Sequence, residues 1–347
     1  MIKIKLFGRE YSKKEIAEYF GRLEQVAGIT SFTYNSGRAK GLKAKEIKTG
    51  TGLRYTVLLD RGLNIGKASY QGIPLAFLSS TGEVAPYFYE AETDGWLRSF
   101  TGGLLTTCGL RQVGTPCQDQ GEKLGMHGRI SNIPAEKISE EINWKGNECY
   151  LNLSGLIKEA KPLSYNLELH RKISSKLGEN KIFIKDIVVN KGSNITPIMI
   201  LYHFNIGHPI LASKAELELN SEKATPRDEV AKNRSENYDE FLKPTTNYPD
   251  TVFYHEIPKD ENGWCSVAIF NSEIEKGLQI SYKKDTLPKF VQWKYTNKGD
   301  YVIGLEPSNC RVEGRKKARE RGELQFLAPG ERKEFNLEIE VLTSNLK

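Results

Sequence analysis

The sequence predicts an all-β protein, a large antiparallel β-sandwich preceded by one short helix. Two observations carry this expectation. From about residue 29 to the C-terminus, short runs of two-residue period or β-rich composition recur, and they are separated by turn chemistry without intervening helical patterns. A chain of 347 residues exceeds the average domain, but all-β folds of that size routinely form one unit. The expected organisation is a strand and helix at residues 1–28 packed on a β-sandwich domain at residues 29–347.

Taken in order, Ser12-Lys13-Lys14-Glu15 fits a capping box. Ile16, Phe20, Leu23 and Ala27 then recur at helical spacing until Gly28, a natural residue to follow a helix end, so one helix is expected over 13–27. Strands are expected over 54–59, 150–154, 165–169, 181–189, 198–204, 266–270 and 335–341. A further buried strand runs through Tyr301, Val302 and Ile303, and Pro307 should end its ladder. Asn35-Ser36-Gly37, Thr49-Gly50-Thr51-Gly52, Glu261-Asn262-Gly263 and Ala328-Pro329-Gly330-Glu331 supply turns. The most polar stretch, 223–243, has no apolar period and reads as a long surface loop.

Hydrophobic residues make up 38% of the chain and charged residues 27%, a composition able to build a sizeable core. The net charge of +6 is concentrated: Arg311, Arg315, Lys316, Lys317, Arg319 and Arg321 face only Glu313 and Glu320 in one short segment. Nucleic-acid binding needs a wider basic footprint with interleaved aromatics, so no nucleic-acid partner is expected. The N-terminus lacks the apolar run of a signal peptide and no later run is long enough to span a bilayer, which points to a cytoplasmic protein without a membrane partner. Five scattered cysteines without Cys-x-x-Cys spacing suit free thiols better than a disulfide framework or a zinc site.

The candidate chemistry lies in few residues. Gly304-Leu305-Glu306-Pro307-Ser308-Asn309 places a carboxylate at the end of an apolar strand, where it either turns to solvent or is used. Of the five histidines, His127 sits in a glycine-flanked turn with Arg129 two residues on, and no metal-ligand spacing surrounds it. His203 lies within an apolar strand whose alternation puts Ile198, Ile200, Tyr202 and Phe204 on one face and Met199, Leu201, His203 and Asn205 on the other. A core histidine satisfied by a backbone carbonyl is the competing account of His203, and His208 is its alternate at the same rim. His170 reads as exposed. Arg61 and Arg129 offer fixed donors for hydroxyls or ordinary ion pairs, and Trp293 offers a platform for a sugar face or a core aromatic.

The order of His127-Gly128-Arg129, Tyr202-His203-Phe204-Asn205 and Leu305-Glu306-Pro307 resembles the aldose 1-epimerase (galactose mutarotase-like) superfamily. The nearer likeness is to a functionally uncharacterised branch, through Leu59-Asp60-Arg61-Gly62-Leu63, Gly102-Gly103-Leu104-Leu105-Thr106-Thr107-Cys108-Gly109, His127-Gly128-Arg129-Ile130-Ser131-Asn132 and Glu306-Pro307-Ser308-Asn309. The resemblance implies a twisted β-supersandwich with a sugar site in an open cleft, and an isomerase that interconverts the anomers of an aldose without a cofactor. It implies Glu306 as base and His203 as acid, charged oppositely at neutral pH, with His127 in the same catalytic set. Arg129, Arg61, Asn205, Trp293 and Asn309 would contact the sugar, and Asp250 or Glu256, near His255, would supply an acidic contact. A non-catalytic sugar sensor is the alternative from another class, and a hexose-phosphate epimerase using the basic segment is a third. The partner in each case is a small-molecule sugar; neither its identity nor the oligomeric state is specified by the sequence.

Overall fold

The computed structural model describes residues 3–234 and 237–344. Two large antiparallel sheets face each other. One contains, in spatial order, Glu136–Lys145, Glu148–Lys161, Tyr165–Lys176, Lys181–Asn190, Arg332–Leu342, Lys276–Lys283, Trp264–Asn271 and Ala215–Glu218. The other runs Ala224–Pro226, Thr251–His255, Lys289–Thr296, Tyr301–Ser308, Thr196–Gly207, Leu105–Leu110, Asn64–Tyr70, Leu53–Leu58, Lys43–Lys48 and Gly28–Thr33, with Gln325–Leu327 and Ile73–Pro74 attached beside it. The predicted all-β sandwich is the observed fold.

The alternation along Thr196–Gly207 divides the protein. Ile198, Ile200, Tyr202, Phe204 and Ile206 enter the main core between the sheets, whereas Met199 and Leu201 enter a second cluster on the outer face of the larger sheet. Across the main core, the buried guanidinium of Arg171 bonds both oxygens of Asp186, at 2.9 and 2.6 Å, and also Gly62 O and Thr107 Oγ1 on the facing sheet. The Tyr202 hydroxyl donates to the same Asp186 at 2.7 Å. A buried ion pair is tolerated only when its remaining donors are met, and this one is met from both sheets. It fixes one face of the strand whose opposite face carries His203.

Three expected elements differ. The helix forms only over Lys13–Tyr19; its Ser12–Glu15 capping box is present, but Phe20 is already extended, at φ −122° and ψ 112°. A separate turn of 3-10 helix spans Leu23–Gln25, and Gly28 opens a strand. Gly21, unfavourable inside a helix by about 1 kcal/mol relative to Ala, falls at the break. Ile16, Val26 and Ala27 nevertheless share one cluster with Ile4, Leu6, Cys149 and Leu177, so the apolar spacing was supplied by two segments and not one. The strand through Glu306 continues to Ser308, with Phe290 opposite Pro307 and both Lys289 and Leu201 opposite Ser308. Pro307 therefore costs one donor without ending the ladder. The polar 223–243 stretch is not simply a loop: Ala224–Pro226 pairs with Thr251–His255, and a helical turn follows at Glu229–Lys232.

Candidate functional site

Above the outer cluster of the larger sheet lies a cavity of about 390 Å³. Its floor is laid by two adjacent strands. The register Leu201↔Ser308 and Phe204↔Leu305 brings His203 level with Glu306, and His203 Nε2 stands 3.2 Å from Glu306 Oε1. Both side chains are buried, at 6% and 2% exposure. Neither His203 Nδ1 nor Glu306 Oε1 has a hydrogen-bond partner. Because nearly all buried polar groups in native proteins are paired, two orphans side by side on a cavity wall indicate partners brought by a ligand. The account of His203 as a core histidine satisfied by a backbone carbonyl does not hold.

Glycine makes this arrangement possible. Gly304 is the residue before Leu305 on the glutamate strand, and a Cβ there would run into Glu306 Oε1 and lie 3.1 Å from His203 Cε1 and 3.2 Å from Trp293 Cβ. The turn that carries the second histidine is equally constrained. His127 adopts a left-handed φ of 55°, a conformation that costs a non-glycine residue about 1–2 kcal/mol and is often retained at functional positions. Its amide donates to Gly114 O at 3.0 Å, and the Gly114 amide approaches His127 Nδ1 at 3.4 Å. An accepting Nδ1 leaves the proton of the neutral ring on Nε2. The His127 and His203 ring centres are 6.0 Å apart, with Trp96 4.7 Å from His127 and Trp293 5.5 Å from His203.

Electrostatically the cavity favours uncharged groups. Burial pushes the Glu306 carboxyl well above the carboxylate range, opposed only weakly by the Arg227 guanidinium. Burial lowers His203 to about 3, assisted by the neighbouring His127, and lowers His127 to about 4. Burial thus works against the expected coexistence of a carboxylate and an imidazolium: a low-dielectric wall penalises both charges and favours a carboxylic acid beside a neutral imidazole.

The predicted residues separate into two groups. Glu306, His203, His127 and Trp293 line this cavity, and of the two acidic candidates Asp250 lines it while Glu256 is exposed elsewhere. The others do not reach it. Arg61 is 2% exposed and directs its three nitrogens, each at 2.7 Å, to the carbonyls of Ser131, Val84 and Ser99, so it braces the loops around the site and touches no ligand. Asn205 donates to Gly103 O and His203 O at 3.0 Å, holding the backbone of the histidine strand. Asn309 extends a ladder with its side chain, accepting from the Ile200 amide at 2.8 Å and donating to Ile198 O at 3.0 Å. Replacing it leaves a buried amide and carbonyl unpaired. Asn309→Ala is accordingly expected to cost about 1–3 kcal/mol, read from the urea midpoint.

Arg129 is exposed over the Tyr89 ring at 5.7 Å and faces a different cleft. His208 and His170 are exposed, the latter 3.1 Å from Glu168. His255 is satisfied by Gln292 and Ser221 and packs among aromatic rings. The basic segment is a helix at Arg315–Glu320 that folds inward: Arg315 bonds Asp119 and Glu122, Arg319 bonds Asp119, and Arg321 bonds Glu313. The cavity also contains residues the sequence did not single out, namely Trp96, Phe100, Tyr295 and Arg227. Arg227 Nη2 lies 2.7 Å from Asp228 and 3.6 Å from Asp250.

Residues 39–341 match the family model described as Domain of unknown function (DUF4432). The chain belongs to the DUF4432 family. Solved structures place this DUF4432 protein among the galactose mutarotase-like folds. A Klebsiella pneumoniae protein described provisionally as an aldose 1-epimerase superposes with a TM-score of 0.87 at 25% identity, covering 91% of this chain and 83% of that one. A galactose mutarotase-like protein from Clostridium acetobutylicum gives 0.62 at 13% identity, covering 91% and 99%. The galactose 1-epimerase of Lactobacillus acidophilus gives 0.57 at 17%, covering 92% and 100%; these last two likenesses concern the fold alone. No curated protein matches the DUF4432 chain.

Proposed function

We propose that this DUF4432 protein is a carbohydrate isomerase that interconverts the α and β anomers of an aldose or aldose derivative by acid–base ring opening. The observation that carries the proposal is the buried Glu306–His203 pair, 3.2 Å apart, each member with a polar atom that has no hydrogen-bond partner, in an aromatic-walled cavity. A volume of about 390 Å³ lies within the range of small-molecule sites, about 300–1,000 Å³. The aromatic walls suit the apolar faces of a pyranose.

The chemistry follows from the proton count. Sugar hydroxyls entering the cavity replace missing hydrogen-bond partners and favour transfer of the Glu306 proton to His203. Glu306 then takes the proton of the anomeric hydroxyl while the C1–O5 bond breaks, and O5 receives the proton from His203. The electron pair of the anomeric O–H becomes the C1=O π bond. At this point the pair is again acid and neutral imidazole, the form burial favours. Rotation about C1–C2 and the reverse transfers close the ring on its other face. His127, with Nε2 as donor, holds a ring or hydroxyl oxygen, and Asp250 and Arg227 orient the opposite end. Every proton and electron pair is returned, so no cofactor enters.

The pH profile provides a check. Protonation of His127 and His203, whose values are lowered to about 4 and about 3, places the acid limb of kcat/KM at or below about pH 4 and not near the ordinary histidine value. As pH climbs through the raised Glu306 value, loss of its proton removes the proton the pair exchanges and the rate falls. The rate should therefore hold as the pH falls from about 6.5 to about 5; an acid limb near 6.5 would contradict the neutral-pair assignment.

Polarimetry of freshly dissolved anomers across neutral aldoses, deoxy sugars and uronates tests the activity, with a first-order rate constant proportional to protein concentration as the expected result. A hexose-phosphate substrate has little support, because Arg227, the cation lining the cavity, is flanked by Asp228 and Asp250 and the basic helix spends its arginines on internal pairs.

A further inference from the structure

A second cleft, of about 510 Å³, opens on the far side of the histidine turn. Gly125, Gly128 and Arg129 line it, whereas Met126 and His127, interleaved with them in sequence, line the first cavity; the two cavities have no lining residue in common. Its chemistry is of another kind. Arg111, Lys123, Arg129 and Lys161 surround it, against the carboxylates of Glu122 and Glu159. Arg111 is held rigidly, bonding both oxygens of Glu122 at 2.7 and 3.0 Å and stacking 3.7 Å above the Tyr165 ring, yet its buried Nε has no partner. Arg129, Lys123 and Lys161 are exposed at the rim, and among the described residues none of the three is paired with a carboxylate.

Glu159 lies at the base, 4% exposed, where Oε2 accepts the Leu110 amide at 2.9 Å. Burial raises its carboxyl above the usual range, against the pull of the Leu110 amide and the Arg111 and Arg129 guanidinium groups. With Arg111 compensated by Glu122, the three cations Lys123, Arg129 and Lys161 outnumber the one remaining carboxyl, Glu159, and give the cleft a positive field, in contrast to the balanced charges of the first cavity.

We propose that this cleft is a binding site for a small hydroxylated anion, a monosaccharide bearing a phosphate or carboxylate group, separate from the site of the isomerase reaction. Rim cations take the anionic group, and Glu159 with the unpartnered Arg111 Nε meets hydroxyls. The proposal stands independently of the isomerase reading.

Calorimetric titration of the full chain at low salt with glucose 6-phosphate, glucuronate, inorganic phosphate and glucose tests it. Saturable binding of glucose 6-phosphate or glucuronate is expected, and whichever binds more tightly identifies the anionic group. At the site sensitive to Lys161→Glu, glucose and inorganic phosphate should each bind at least tenfold more weakly. Lys161→Glu, at an exposed rim position, and Arg129→Ala should each weaken the sugar anion at least tenfold, while Glu306→Gln should leave it unchanged. Absence of saturable anion binding, anion binding that survives Lys161→Glu, or glucose or inorganic phosphate binding equally tightly and equally lost in Lys161→Glu would overturn the assignment.

Discussion

Glu306→Gln is expected to lower the rate of anomer interconversion by roughly 10²–10⁴-fold, the span contributed by a positioned acid or base, with little change in shape. The amide retains the volume of the carboxyl but has no proton to exchange with His203 across the 3.2 Å gap. The same substitution should leave the protein relatively more stable as the pH rises. Glu306 has a folded-state value raised by burial above that of the unfolded chain, so its favourable contribution is full below the unfolded value and is lost as pH climbs through the folded one. Glutamine has no such dependence. Thermal midpoints of variant and wild type should therefore diverge in favour of the variant as pH rises above the ordinary carboxyl value of 4.5. Lost activity without that divergence would mean that the carboxyl is not held in an uncharged state.

Gly304→Ala is expected to reduce turnover by about 10²-fold, the penalty that a displacement near 1 Å can impose on reacting groups. The added methyl would occupy the space of Glu306 Oε1 and press on His203 Cε1 and Trp293 Cβ, so the pair must separate or the strand must shift. Overpacking of this kind costs about 1–3 kcal/mol, which a urea titration reads directly. Unchanged turnover would show that the carboxyl has another productive position.

Much of this site is legible in the sequence because it is written along single strands. The alternation of Met199, Leu201 and His203 against Ile198, Ile200 and Tyr202 separates the histidine from the second set, and two clusters in the fold obey that division. What pairs with that histidine is not local. Glu306 meets His203 through a register between strands about a hundred residues apart, which no period reveals. Gly304, two residues before the glutamate, acts on the neighbouring strand and not on its own turn.

Arg61, Asn205 and Asn309 show the opposite limit. Their motifs are distinctive and their side chains polar, yet each serves backbone groups that would otherwise be buried without partners. Residue type alone does not separate a ligand contact from a backbone brace. Arg227 was hidden for a third reason: it follows a short edge strand, Ala224–Pro226, within a polar run, and only pairing with Thr251–His255 carries it beside Asp250. The split of the N-terminal helix has the same origin, since two short segments that bury into one cluster leave the spacing of a single helix.

The most direct measurement is two-dimensional exchange NMR on an aldose labelled with ¹³C at C1, at anomeric equilibrium, with and without the protein. Cross-peaks between the α and β signals that grow with wild-type concentration and vanish with Glu306→Gln are the predicted result. Broadening of the sugar signals by the wild-type protein with no exchange cross-peak would show a cavity that binds without turning over, and would contradict the isomerase assignment.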